Sequence, residues 1–307
     1  MDFIQPASWA DALAVKSASP AALPVAGGTD VMVELNFDAR RPAALLDLTR
    51  IAELADWDSE TGSSPGGGNG GNGAGRIRLG AAVTYARVIE ELGGLLPGLA
   101  MAARTVGSPQ IRNRGTVGGN LGAASPAGDC HPPLLAARAE IEAASVRGTR
   151  MIPAVDFYTG VKQNALQPDE LIRAVWVTPP AGPQQFSKIG TRNAMVIAVA
   201  AFSLALHPDA RTAGTGIGSA APTPRRADDA ERFLGAALDD AGLWESRGEL
   251  PETITSEFSR LVRQAASPID DVRGTAAYRR HALGVMAART LAWAWHDYRH
   301  DGQAGRG

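Results

Sequence analysis

Read for its apolar and polar positions, the chain begins as an alternation of short elements. Ser8 precedes "WADALAVKS" and predicts a helix through about Ser17 with that serine as its N-cap. "LPVA" is a brief apolar run that predicts a buried strand, "DVMVELN" a short helix and "ALLDL" a second strand. "RIRLGAAV" predicts a strand, "TYARVIEEL" a helix capped by Thr84, and "LLPGLAMAARTV" another helix. Further on, "PPLLAARAEIEAASV" passes from a helical turn into a strand and "DELIRAVWV" predicts one more. After "PPAGP" the texture changes: "QQFSKIG", "VAAFSLAL" and "GTGIGSA" predict successive antiparallel strands. Helical periodicity then covers about 226–238, 252–265 and 275–297.

The pattern predicts an α+β protein with a boundary near residue 180. A larger mixed domain over 1–178 would precede a smaller domain of antiparallel sheet plus helices over 183–297, with a tail at 298–307. With 307 residues, 45% of them hydrophobic, the chain can bury the cores of two ordinary domains. Lys plus Arg (30) nearly balance Asp plus Glu (32), so the chain as a whole carries no basic footprint and no nucleic-acid partner is expected. The start, "MDFIQPASWADALAVKSASP", lacks the basic flank and apolar run of a secretory signal. The longest apolar stretch, "MVIAVAAFSLAL" at 195–206, falls short of the roughly 20 residues a bilayer span needs. A soluble, cytoplasmic protein is the expectation.

Residues 62–75, "GSSPGGGNGGNGAG", predict a flexible connection; no Gly-Lys-Ser/Thr follows, so this is not a P-loop. "AGGTD" at 26–30 stands between strand and helix, where unpaired N–H groups suit an anion, although a tight turn explains a Gly-Gly pair as well. "GTVGGN" at 115–120 adds a second such turn, either a structural loop over a sheet or the other half of a clasp for a pyrophosphate. The dinucleotide fingerprint G-x-G-x-x-G is absent. Cys130 is the single cysteine, which excludes disulfides and a cluster held by four thiolates of this chain. Cys130 and His131 lack a third ligand and predict a structural pair.

Together "AGGTD", "LGAAVTY" (79–85), "GSPQIRNRGTVGGNLGAASPAGD" (107–129), "KIGTRNAMVIA" (188–198), "APTPRRA" (221–227) and "DVRGTAAYRRH" (271–281) carry a resemblance. The chain resembles the FAD-binding medium subunits of the molybdenum hydroxylases, the family of xanthine dehydrogenase and aerobic carbon monoxide dehydrogenase. That resemblance implies a two-subdomain FAD-binding domain of the PCMH/vanillyl-alcohol-oxidase type. It implies that Ala26, Gly27, Gly28, Thr29 and Asp30, with Thr116, Gly118, Gly119 and Asn120, hold the FAD diphosphate. By the same resemblance Asp129 binds sugar or ribityl hydroxyls, Lys188 lies close to the flavin, Leu171 or Ile172 packs on its ring, and Thr84 sits in a nearby turn. Relatives often place an acidic residue after the Lys-Arg pair, where this chain has Met195 and Val196.

The resemblance further implies non-covalent FAD on this chain and molybdopterin and [2Fe-2S] clusters on large and small partner subunits, in a dimer of heterotrimers. Electrons would leave for NAD+ or oxygen, and xanthine, another N-heterocycle or an aldehyde would be the substrate of the assembled enzyme. A stand-alone FAD oxidase with its own substrate pocket is the rival reading.

Overall fold

The computed structural model describes residues 1–60 and 75–301. The expected flexible connection lies, but for its last residue, outside the described residues. The chain first lays down a small parallel sheet in the order β1-β3-β2, from Asp2–Ile4, Ala44–Asp47 and Leu23–Val25. Helix α1 (Trp9–Ala18) joins its first two strands, and the Ser8 side chain caps it by accepting the Asp11 N–H at 3.1 Å. A short helix α2 (Val31–Asn36) follows β2.

The second sheet has five antiparallel strands in the order β4-β5-β10-β6-β7, from Trp57–Glu60, Arg76–Gly80, Leu171–Val177, Glu140–Ser145 and Gly148–Pro153. Strand β10 is central and nearly all buried, because apolar residues fill both of its faces. One face packs on helices α3 (Tyr85–Glu91), α4 (Pro97–Arg104), α6 (Val117–Ala123) and α7 (His131–Ala136), while α5 (Pro109–Arg114) lies against α3. On the other, Leu171 and Ala144 join Trp9, Leu46 and Leu54 of the parallel sheet's core. A helical turn α8 (Ala154–Phe157) and the small ladder β8–β9 (Tyr158–Gly160 with Gln163–Asn164) complete this half.

The expected three antiparallel strands form: β11 (Gln184–Ile189), β12 (Ala200–His207) and β13 (Thr212–Gly218), with β12 in the middle. Helices α9 (Asp228–Asp240), α10 (Leu243–Ser246), α11 (Glu252–Ala265) and α12 (Ala276–Asp301) cover one face of this sheet around Phe202, Leu234, Phe258 and Leu291. Helix α12 continues through 298–301, where a tail was expected. No described helix is long and apolar enough to cross a membrane.

The other face of the C-terminal sheet lies directly on α7, and the sequence "AGTGIG" makes this possible. A Cβ built on Gly216 would stand 2.0 Å from the Pro132 carbonyl oxygen, and one on Gly214 2.0 Å from that of Ala136. Backbone therefore meets backbone across this junction, and glycine at every second strand position leaves the room. Gly216→Ala should force the sheet off α7 and cost about 1–3 kcal/mol, the usual range for overpacking. Urea unfolding measures it, and a wild-type midpoint would show that the junction is looser than described.

Candidate functional site

The first glycine turn leaves β2 at Ala26. Gly28 has φ +76°, a left-handed conformation that glycine adopts without strain. Its carbonyl accepts the Met32 N–H at 3.0 Å and so starts α2, while the N–H groups of Gly27, Gly28, Thr29 and Asp30 find no acceptor among the described residues. Those donors make the turn a receptor for an anion. Asp30 is at the same turn, and burial raises its carboxyl above the usual carboxylate range. At the rim Glu34 pairs with Lys162 at 2.9 Å and Arg40 at 3.5 Å, keeping two cations close to the turn.

The second glycine stretch differs from its expected form. It is the first turn of a helix, α6, and most of its N–H groups are already in use. Thr116 caps the helix by accepting from Gly119 at 2.9 Å, Val117 donates to the Val83 carbonyl at 3.0 Å, and Gly118 donates to that of Ala81 at 2.9 Å. Gly118 is small because a Cβ there would fall 2.5 Å from the Ala81 Cβ, so α6 can press onto the end of β5. The glycines of this stretch thus answer first to packing. Gly27 answers to the same demand from the other side: its Cβ would stand 1.9 Å from the Arg114 carbonyl oxygen, so the two turns touch backbone to backbone.

Their meeting forms one end of a cavity of about 650 Å³, a size typical of small-molecule sites. All of the residues expected at the site line it except Thr84 and Lys188. Thr84 stands one layer behind: its hydroxyl accepts the Arg87 N–H at 3.4 Å as the cap of α3, and its backbone bridges to Thr116. Leu171 and Ile172 both line the wall.

Lys188 is buried, and its ammonium donates to Asp129 Oδ2 at 2.6 Å and to the Thr105 carbonyl at 3.2 Å. It therefore reaches the cavity through Asp129. Burial pushes the Asp129 carboxyl up to about 6 against the opposing pull of Lys188. The second carboxylate oxygen, Oδ1, is buried without a partner, as is Oδ1 of Asn120. Orphaned acceptors of this kind call for hydroxyl or N–H donors from a ligand. Ribityl and ribose hydroxyls are such donors, so the residues present fit an FAD.

Several wall residues escaped sequence reasoning. Tyr85, Lys16, Glu170 and the exposed Ile197 all line the cavity, beside Met195 and Val196, which were singled out as standing where relatives often carry an acidic residue. None belongs to a glycine turn; the quoted stretches "LGAAVTY" and "KIGTRNAMVIA" were the only signals for Tyr85 and Ile197. Cys130 and His131 are buried beneath the site: burial raises the thiol and lowers the imidazole to about 3, and His131 Nδ1 pairs with the Tyr158 hydroxyl at 2.9 Å. No cluster that could hold a metal occurs among the described residues.

Comparison with known proteins gives the same picture. The family model of the FAD binding domain in molybdopterin dehydrogenase matches residues 1–180, and that of the CO dehydrogenase flavoprotein C-terminal domain matches 186–294. The chain is 30% identical over 298 residues to the putative xanthine dehydrogenase FAD-binding subunit of Escherichia coli, covering 94% of each. It is 30% identical to the carbon monoxide dehydrogenase medium chain of Afipia carboxidovorans, covering 94% of this chain and 95% of the relative. Among solved structures, a chain of the cyanide-inactivated Cu,Mo-CO dehydrogenase superposes with a TM-score of 0.83 at 27% identity, over 97% of this chain and 98% of that one.

The buried pair has a measurable pH signature. The Asp129 pKa is raised from the ordinary value of about 4, so the folded chain binds a proton more tightly than the unfolded one. That contribution to stability is full below about pH 4 and is lost as pH rises through about 6. In Lys188→Met the opposing pull is gone, and the carboxyl should titrate above its wild-type value. Carbon-13 carboxyl shifts of the apoprotein follow it; an unchanged midpoint would mean that the two side chains do not pair.

Proposed function

Because the chain belongs to the molybdopterin-dehydrogenase FAD-binding family, we propose that it is the electron-relay subunit of a molybdenum hydroxylase, carrying non-covalent FAD between partner [2Fe-2S] clusters and a final acceptor. The observation that carries the reading is the single cavity in which a turn with unused N–H groups meets two orphaned buried acceptors. FAD supplies two-electron and one-electron redox chemistry when bound. Gly27 to Asp30 offer N–H groups to a diphosphate, with Lys162 and Arg40 adding positive charge at the rim. Asp129 and Asn120 accept hydroxyls of the chain beyond it, and Lys188 holds the Asp129 carboxylate in place. Leu171 and Ile172 give an apolar wall against which a ring can exclude water.

This chain contains one cysteine, so the clusters that deliver electrons belong to a small partner subunit and the molybdopterin to a large one, in the proposed dimer of heterotrimers. N-heterocycles are the proposed substrates, a choice supported by relatives named for xanthine, nicotine and caffeine; aldehydes come second, with a relative named for glyceraldehyde. NAD+ or oxygen is the proposed acceptor, and a soluble, cytoplasmic complex the proposed setting.

Two results test the reading. Acid precipitation should release all yellow colour into the supernatant, since no cysteine or histidine lines the cavity among the described residues; colour kept in the pellet would overturn non-covalent binding. In rapid mixing, the flavin of the isolated, FAD-loaded chain should stay oxidised with xanthine or an aldehyde and bleach only when both partner subunits are present. Direct bleaching of the isolated chain would replace the relay by a stand-alone oxidase.

A further inference from the structure

The segment "DVRGTAAYRRH" near the C-terminus resembles the family yet contributes nothing to the cavity wall. Its structure shows what it does. Asp271 and Gly274 close a tight turn by pairing their backbones, with the Asp271 N–H donating to the Gly274 carbonyl at 3.2 Å and the Gly274 N–H to that of Asp271 at 3.1 Å. The Asp271 carboxylate accepts the Arg273 N–H at 2.8 Å and the Arg273 guanidinium at 2.8 Å, and also takes the guanidinium of Arg279. Arg279, in the first turn of α12, is 3% exposed. An arginine so deeply buried needs its donors satisfied.

The remaining donors go to three main-chain carbonyls: Nε reaches that of Gly274 in the turn at 3.5 Å, while Nη1 reaches Val199 at 3.0 Å and Ser219 at 2.6 Å. The Val199 and Ser219 carbonyls belong to segments that continue into the cavity wall. Val199 follows Met195, Val196 and Ile197, which line the cavity. Ser219, in a left-handed conformation at φ +59°, donates its own N–H to the Pro126 carbonyl at 2.8 Å. Pro126 lies between the wall residues Ser125 and Ala127 and leads to Gly128 and Asp129. A single guanidinium thus ties the two wall segments to each other and to the C-terminal helix.

We propose that Arg279, oriented by Asp271, is a positioning residue for the cofactor cavity, fixing the 195–197 and 125–129 walls through the carbonyls of Val199 and Ser219. This rests on the reading that the cavity takes FAD. Arg279 touches no wall atom itself and acts through backbone, so its loss should alter how FAD is held as well as how stable the fold is. Lysine can reach one carbonyl, but a planar fork serving the carboxylate and both carbonyls is particular to arginine.

The test titrates the apoprotein of the full chain with FAD and records the visible circular dichroism of the bound flavin. The variants are Arg279→Met, Arg279→Lys and Asp271→Asn, with Phe258→Leu in the C-terminal core as a control for lost stability. Arg279→Met should weaken FAD binding by about tenfold or more, the equivalent of one net hydrogen bond, and change the flavin dichroism. Arg279→Lys and Asp271→Asn should fall between it and the wild type, while Phe258→Leu lowers the melting temperature and leaves both flavin readouts unchanged. If the Arg279 variants bind FAD with wild-type affinity and dichroism, the proposal is wrong. Should Arg279→Met fail to fold, Asp271→Asn decides in the same terms. A wild-type chain that does not bind FAD would instead overturn the reading on which the proposal rests.

Discussion

The site depends on a contact between two pieces of bare backbone, Gly27 against the carbonyl of Arg114. With a Cβ at 1.9 Å from that oxygen, any other residue would hold the two turns apart. Because they touch, the turn after β2, in the parallel sheet, and the start of α6, over the antiparallel sheet, open into one cavity. Gly118 on Ala81 repeats the device one layer deeper, and Gly216 on Pro132 repeats it where the C-terminal sheet meets α7. At all three places glycine lets one element meet the next at backbone distance, where a side chain would hold them apart.

Electrostatics follows from that geometry. The N–H groups of the first turn have no acceptor among the described residues, and Arg40 and Lys162 stand nearby with Glu34 between them. Beyond, Asp129 is buried with only one oxygen paired, an arrangement that costs stability unless a ligand provides a donor. An unpaired buried oxygen thus stands at a place where a polyol hydroxyl could donate to it. In the proposed reading, the unpaired oxygens of Asp129 and Asn120 are what selects a hydroxylated chain.

Much of this was legible in the sequence, and the exceptions have physical causes. Ser8 and Thr84 were readable as caps because a side-chain oxygen before an apolar run is a local signal, and the antiparallel strands after residue 180 were readable from their apolar runs and turns. The glycine turns were readable as turns with exposed backbone, and they do line one cavity, but not as structure: "GTVGGN" looked like a bare loop, whereas α6 uses those glycines to pack on Ala81 and spends most of their N–H groups within the chain. Whether a glycine faces a ligand or a neighbouring backbone is a tertiary fact. Lys188 was expected beside the flavin, yet its partner Asp129 is 59 residues away and becomes visible only in the fold. The β6–β7 hairpin went unnoticed because β7, "GTRMIP", is mostly exposed and carries no clean alternation. The role of "DVRGTAAYRRH" could not be read at all, because its arginine acts on carbonyls that any residue could supply.

The central claim is that the junction of the two turns receives FAD by its diphosphate, with Asp129 and Asn120 taking hydroxyls beyond it. Calorimetric titration of the apoprotein with FAD, with riboflavin and with riboflavin plus ADP tests it most directly, since riboflavin keeps the ring and the ribityl hydroxyls and lacks the adenosine diphosphate. The account predicts that FAD binds at least about 100-fold more tightly than riboflavin, the equivalent of about 2.7 kcal/mol from the contacts riboflavin cannot make. Equal affinity for FAD and riboflavin, with or without ADP, would contradict it, because the ring and polyol alone would then account for binding and the meeting of the two turns would have no ligand to serve.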